Sequence, residues 1–225
     1  MSAPGSAICA VVGAPGGDLE RAVAAQSNPP EEVVSGPAGL RELVERALAT
    51  GADWLWLLDG SSLPRPGALL ALRDAVRRVD GLPEPAVLGG MVVTADGRAD
   101  ETRSLWYRPN QLDVAMASVG RRLLPICASS GPALVRARSA RAQLPSRRAA
   151  LEPGALIEWT ARLLRHSVGY LVPESQCEAI AGGRDPVQEP RVAARLLLGT
   201  AFGWIDRVRL AYDLMQRLAP GSSER

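Results

Sequence analysis

Ala52-Asp53-Trp54-Leu55-Trp56-Leu57-Leu58-Asp59-Gly60-Ser61-Ser62-Leu63-Pro64-Arg65-Pro66-Gly67-Ala68-Leu69 is the stretch from which the fold of this chain is read. The apolar run 54–58 is short, does not alternate and is bounded by turn formers, which predicts a strand buried on both faces. It stops on Asp59. Beyond it Pro64 and Pro66 fix φ, and Ala68, Leu69, Leu72 and Val76 recur at helical spacing, so Pro66 sits in the first turn of a helix. The unit is strand, acidic turn, helix. In an open α/β sheet the carboxyl end of a buried strand borders the crevice where ligands bind, because neighbouring loops diverge there. Asp59 is therefore the first candidate ligand-binding residue.

Working upstream, residues 7–12 form a small apolar strand ending in Gly13-Ala14-Pro15-Gly16-Gly17, and Asp18 caps a helix over 19–26. The glycines carry neither a phosphate-loop lysine nor the dinucleotide spacing, so they read as a plain turn. Pro29-Pro30 breaks the chain, 31–35 is a second strand, and 39–50 is an amphipathic helix through Leu40, Leu43, Val44, Ala47 and Leu48.

Downstream, 85–94 reads as another buried strand, followed by the turn Ala95-Asp96-Gly97-Arg98. The pattern weakens over 98–124, where Trp106, Tyr107, Arg108 and Asn110 either line a pocket or cover the sheet. Residues 124–136 read as a turn entering a strand, with Ser139 capping a short helix. A polar loop over 145–154 leads to a helix over 155–167 that carries Glu158, Trp159 and Arg162, and a short strand over 169–174 closes the unit. Strands alternating with helices at this spacing predict an α/β fold with a mostly parallel, doubly wound sheet.

Length and composition bound the rest. The 225 residues, 47% apolar and 22% charged, suffice for one sizeable core, with disorder expected only at the ends. We read a domain over 1–185 and a helical extension over 186–225. In that extension Arg191, Arg195, Arg207, Arg209 and Arg217 alternate with Leu196, Leu197, Phe202, Trp204, Ile205 and Leu210. Such a stretch suits an arm on a partner subunit, a peripheral contact with an anionic membrane, or a cover for the domain's own core. A net charge of only +2 gives no argument for nucleic acid. Every basic residue is arginine apart from His166, which excludes any mechanism built on a lysine Schiff base. Cys9, Cys127 and Cys177 lack metal or disulfide spacing and read as thiols in a reducing compartment. No leader pattern opens the chain and no apolar run approaches the ~20 residues that span a bilayer, so a cytoplasmic body is expected.

The order of these segments resembles the large inverting family 2 of nucleotide-sugar-dependent glycosyltransferases, which have the GT-A fold. The resemblance rests on Gln26-Ser27-Asn28-Pro29-Pro30-Glu31-Glu32-Val33-Val34, the run 54–69, Ala86-Val87-Leu88-Gly89-Gly90-Met91-Val92-Val93, Ala128-Ser129-Ser130-Gly131-Pro132-Ala133-Leu134-Val135-Arg136, and 156–173 ending in Gly169-Tyr170-Leu171-Val172-Pro173. It covers about residues 7–179.

The resemblance implies a nucleotide sugar bound at Val12, Gly13, Ser35, Asp59 and Ser61, and a saccharide or lipid-linked acceptor on the side of Trp106, Ser130, Gly131 and Trp159. A setting in cell-envelope polysaccharide synthesis goes with it. Asp59 stands at the first acidic position of a DxD-like motif that holds a divalent cation (Mn or Mg) against the diphosphate, whose developing charge a hard cation neutralises. The motif continues here as Gly60 and Ser61, no histidine follows at 177–179, and Ser35 stands where an aspartate contacts the base. Arg98 or Arg136 are candidates to supply positive charge in place of the ion. Glu158 matches the acidic residue that serves as general base on the acceptor hydroxyl, or is a surface glutamate near a helix N-terminus. Two readings follow: an active transferase, or a pseudo-enzyme that keeps the fold and binds a sugar or a partner.

Overall fold

A computed structural model of the chain describes residues 7–13, 17–79, 83–100, 123–129, 131–147, 149, 151 and 153–180. The extension over 186–225 lies outside the described residues. At the centre is β3 (Trp54–Leu58), all five of whose residues are buried. It is flanked by β1 (Ile8–Val12) on one side and β7 (Ala133–Arg136) on the other, with helices over both faces. A strand so enclosed has no solvent face to make polar, which is why its sequence does not alternate.

Among the described residues the sheet has eight strands, in the order β2 (Glu32–Ser35), β1, β3, β7, β5 (Pro85–Val93), β8 (Val168–Ala179) and β4 (Ser62–Pro64), with β6 (Leu124–Pro125) also on β8. Strands β1, β2, β3, β5 and β8 run one way and β4, β6 and β7 the other. The sheet is mostly parallel, with β7 inserted antiparallel between β3 and β5.

Successive strand residues point to opposite faces, and this divides the core in two. Ile8, Ala10, Val12, Trp54, Trp56 and Leu58 pack with Leu19 and Val23 of α1 (Gly17–Ala24) and with Ala68, Leu69, Leu72 and Ala75 of α3 (Ala68–Arg78). Cys9, Val11, Leu55 and Leu57 pack with α2 (Leu40–Ala49), α4 (Ala137–Ala142) and α5 (Pro153–Leu164). Leu69 and Leu72 are fully buried, and each such side chain contributes about 1.5–3 kcal/mol.

The end of the sheet away from Asp59 is tied by Glu31. Its carboxylate accepts the Ile8 amide at 2.7 Å and Arg73 Nη2 at 2.8 and 2.9 Å. Partial burial works to raise the Glu31 pKa, but the Ile8 amide and the Arg73 guanidinium outweigh it and hold the carboxyl below its ordinary range.

Several local expectations are corrected. β8 runs for 12 residues where a short strand over 169–174 was expected. Pro173 and Glu174 look like a strand end, but the register with β5 shifts between Gly90 and Met91, opposite Val172 and Gln176. The residues between form a bulge, which tolerates a proline because no ladder amide is required there. The chain after Asp59 does not pass straight to α3: Ser62–Pro64 first pairs with Ala179–Cys177 of β8, a strand too short to show periodicity. α4 begins at Ala137 directly off β7, so Ser139 lies inside the helix and caps nothing. α1 begins at Gly17, placing Asp18 in its first turn, ion-paired with Arg21.

Candidate functional site

Three parallel strands end together. Val12 stands in register with Ser35 on one side and Leu58 on the other, and the Gly13 amide donates to the Leu58 carbonyl at 3.2 Å. From β1 the chain crosses to β2 on one flank, while β3 lies on the other. A reversal of this kind opens a crevice beyond the carboxyl ends of the strands. Val12 and Ser35, with Gly13 and Asp59 one residue beyond β1 and β3, therefore stand together at that end of the sheet.

Asp59 is held by the turn it begins. Gly60 has φ +83°, a left-handed conformation that costs glycine nothing. This brings the Ser61 amide to 3.0 Å from Asp59 Oδ1 and the Ser61 hydroxyl to 2.9 Å from both carboxylate oxygens. The arrangement is an Asx turn reinforced by a hydroxyl. These bonds orient the Asp59 carboxylate at the end of β3. The Ser61 carbonyl in turn accepts the Ile180 amide at 3.1 Å, which fastens the turn to the end of β8.

Asp59 also lies close to β8. The fully buried Cys177 thiol has its pKa pushed up, first by burial and then by the Asp59 charge. It is a core thiol in the α1/α3 layer with no nucleophilic character at neutral pH.

The segment before β7 leans on β5: β7 begins opposite Leu57 at Ala133, the Pro132 carbonyl accepts the Gly90 amide at 2.7 Å, and Gly131 lies against Val92. This segment is pinned to α5 through Thr160. The Thr160 hydroxyl is fully buried, accepts the Ser129 amide at 2.9 Å and donates to the Leu156 carbonyl at 2.7 Å.

The remaining expected residues are not brought to the crevice in the same way. Glu158 lies in the second turn of α5, half-buried. Trp159 is 1% exposed, packs in the core beneath α5 and donates its indole N–H to the Gln143 carbonyl at 2.7 Å. The expectation of an acceptor-side role for it is corrected: an indole at helical spacing points with Leu156 and Leu163 into the core. Trp106 and Ser130 lie outside the described residues. Neither arginine suggested as a substitute cation meets Asp59. Arg136 is at the opposite end of β3, opposite Trp54, stacked on that indole and paired with Glu84. Arg98 is on an exposed turn, paired with Asp96 at 3.2 Å. His166 is exposed at the end of α5.

Among the described residues no group of three or more His, Cys, Asp or Glu side chains is placed to hold a metal ion. Asp59 as a single carboxylate fits only a cation that takes most of its other ligands from phosphate and water, as Mg²⁺ commonly does. Sequence reasoning missed Thr160, Ile180 and Leu151. Leu151 comes from an aperiodic loop and stands over Gly13; no local pattern marks it.

No protein-family model and no curated protein sequence matches the chain. Among solved structures it is similar to residues 1–349 of the glycosyltransferase TarS from S. aureus, with a TM-score of 0.51 and 12% identity over 94% of this chain and 71% of that one. The chain has a glycosyltransferase-like α/β fold. No helix among the described residues is long and apolar enough to cross a membrane.

Proposed function

We propose that this protein is an inverting glycosyltransferase that binds a nucleotide-diphosphate sugar across the ends of β1, β2 and β3 and transfers the sugar to an acceptor hydroxyl. One observation carries the reading. Asp59 ends the central buried strand at the point where the strand order reverses, held by Gly60 and Ser61, within a glycosyltransferase-like fold. A ligand with hydroxyl or cation-bound phosphate groups meets a fixed acceptor there, and Ser35 offers a second one on the β2 side.

In this reading the acceptor oxygen attacks the anomeric carbon as the bond to the diphosphate oxygen breaks. Glu158 takes the acceptor's proton, and the diphosphate leaves with the bonding pair. Gly131, with Trp106 and Ser130, borders the acceptor side. A divalent cation arriving with the diphosphate supplies charge neutralisation, with Asp59 as its protein carboxylate. A saccharide or lipid-linked acceptor, of the kind used in cell-envelope polysaccharides, suits this chemistry. The arginine-rich stretch 191–217 is the part we assign to a membrane surface or partner protein.

The bonds from Ser61 to both oxygens of Asp59 favour a second reading, in which the crevice binds the nucleotide without turning it over. Titration calorimetry with uridine and guanosine diphosphates, with and without manganese, tests the shared step. Binding of either supports the site, and binding of neither counts against it. Glu158→Ala then separates the readings: it abolishes sugar transfer in an active enzyme and leaves nucleotide affinity unchanged in both.

A further inference from the structure

Arg46 stands at the end of β2 instead of in the ion pair that its spacing offers. In the same helix Arg41 pairs with Glu45 at 2.8 Å. Glu42 precedes Arg46 by the same interval with the acid on the N-terminal side, the better of the two orientations for such a pair. Among the described residues Arg46 nevertheless forms no ion pair. Helical side chains lean toward the helix N-terminus, and α2 begins at Leu40, just after β2 ends at Ser35. Arg46 follows that lean, and its Nη1 lies 3.5 Å from the Ser35 carbonyl oxygen.

Gly36 keeps the guanidinium uncovered on that side. Its φ of +148° is one that glycine adopts readily, and a Cβ built there would meet Nη1 at 3.6 Å. Arg46 is exposed, and one long contact to a carbonyl uses little of a group that carries five N–H donors in a fixed fork.

We infer that Arg46 is a specificity-determining residue for the base of the nucleotide, and that the base it selects is guanine. The inference rests on the donor-binding reading above. Ser35 is in register with Val12, and Val12 with Leu58, so the ends of β2 and β3 are two strand spacings, about 10 Å, apart. A nucleoside diphosphate lying across the three strand ends with its diphosphate toward β3 brings its base to β2, where the fork stands.

A guanidinium fork pairs best with two adjacent acceptors. Guanine has them in O6 and N7, whereas adenine sets an amino donor beside N7 and uracil sets an N–H beside its carbonyls. Cytosine has N3 beside O2, but O2 is next to the glycosidic nitrogen and faces the ribose. Among the described residues β2 is the outermost strand on this side of the sheet, so Arg46 meets the edge of the base farthest from the ribose.

The test is calorimetry on the full chain with manganese, using guanosine, inosine, uridine and cytidine diphosphates and inorganic pyrophosphate. Guanosine and inosine diphosphates share O6 and N7 and are expected to bind about equally, about tenfold tighter than the other two nucleotides. Arg46→Lys keeps the charge and loses the fork, so both purine nucleotides are expected to fall to the uridine level with pyrophosphate unchanged. Equal affinities for all four nucleotides, a tighter pyrimidine nucleotide, or a guanosine preference that survives Arg46→Gln overturns the assignment and leaves the donor site standing. Pyrophosphate affinity lost in Arg46→Gln and kept in Arg46→Lys overturns it too, by making Arg46 a phosphate ligand. If no nucleotide binds the unaltered chain, the donor site falls and the inference with it. Because Arg46 is exposed, both variants are expected to melt with the unaltered protein, which separates a loss of affinity from a loss of fold.

Discussion

The Ser61 hydroxyl lies 2.9 Å from both carboxylate oxygens of Asp59, and the Ser61 amide reaches Oδ1 at 3.0 Å. The residue two places after the strand-end aspartate therefore donates to it, where a second carboxylate would repel it. Ser61→Asp reverses that sign. Without metal the variant is expected to melt lower than the unaltered protein, because a hydrogen bond is exchanged for like-charge repulsion. Manganese is expected to restore the melting temperature and to tighten uridine diphosphate by about tenfold, since two carboxylates and a diphosphate form a hard-cation site. Thermal shift with and without manganese measures this, and an unchanged melting temperature would count against Asp59 as a cation ligand.

Thr160 joins α5 to the segment that leads into β7. Thr160→Val keeps the shape and leaves the buried Ser129 amide without its acceptor, a loss of about 1–3 kcal/mol. Thr160→Ser retains the hydroxyl and is expected to recover most of it. Urea unfolding gives the magnitude. Hydrogen exchange at the Ser129 amide gives the location, accelerating in the valine variant only.

Glu31 makes the stability of the far end of the sheet pH-dependent. Its folded pKa lies below the ordinary 4.5, so the stabilisation from its charge is complete above that value and is lost as pH falls through the depressed folded value. Glu31→Gln removes the charge. The side chain is 46% exposed and solvent screens it, so the advantage of the unaltered protein at neutral pH is about 0.5–1 kcal/mol. Melting curves between about pH 3 and pH 7 are expected to converge for the two forms at the acid end. Parallel curves would show that the ion pair contributes nothing.

Trp159 separates packing from recognition. Trp159→Phe removes the bond to the Gln143 carbonyl and part of a buried ring, with an expected cost of about 1–3 kcal/mol in chemical unfolding. Nucleotide affinity, measured by calorimetry, is expected to stay as it was. A selective loss of binding without loss of stability would return Trp159 to the crevice.

Much of the framework is legible in residue order because its causes are local. The unbroken run 54–58 becomes the fully buried β3 with the expected bounds. Leu40, Leu43, Val44 and Ala47 become the buried face of α2. The turn at Asp96-Gly97 closes through the Thr94 and Arg98 backbones, with Gly97 at φ +82°. What was misread depends on partners distant in the chain. Pro173 looks like an end until β5 supplies a shifted register that absorbs it in a bulge. Arg136 looks available for a phosphate until its antiparallel pairing sends it to the wrong end of the sheet.

The sequence by itself determined that a buried strand ends on Asp59 and turns through Gly60 and Ser61. Side-chain periodicity, turn chemistry and helix starts are set by neighbours within a few residues. Only the tertiary structure decided what fastens that turn and covers the neighbouring strand end: the Ile180 amide, from the end of β8, on the Ser61 carbonyl, and Leu151, from an aperiodic loop, over Gly13. Those placements follow from strand order, register and close packing, which couple residues roughly a hundred positions apart and leave no periodic mark along the chain.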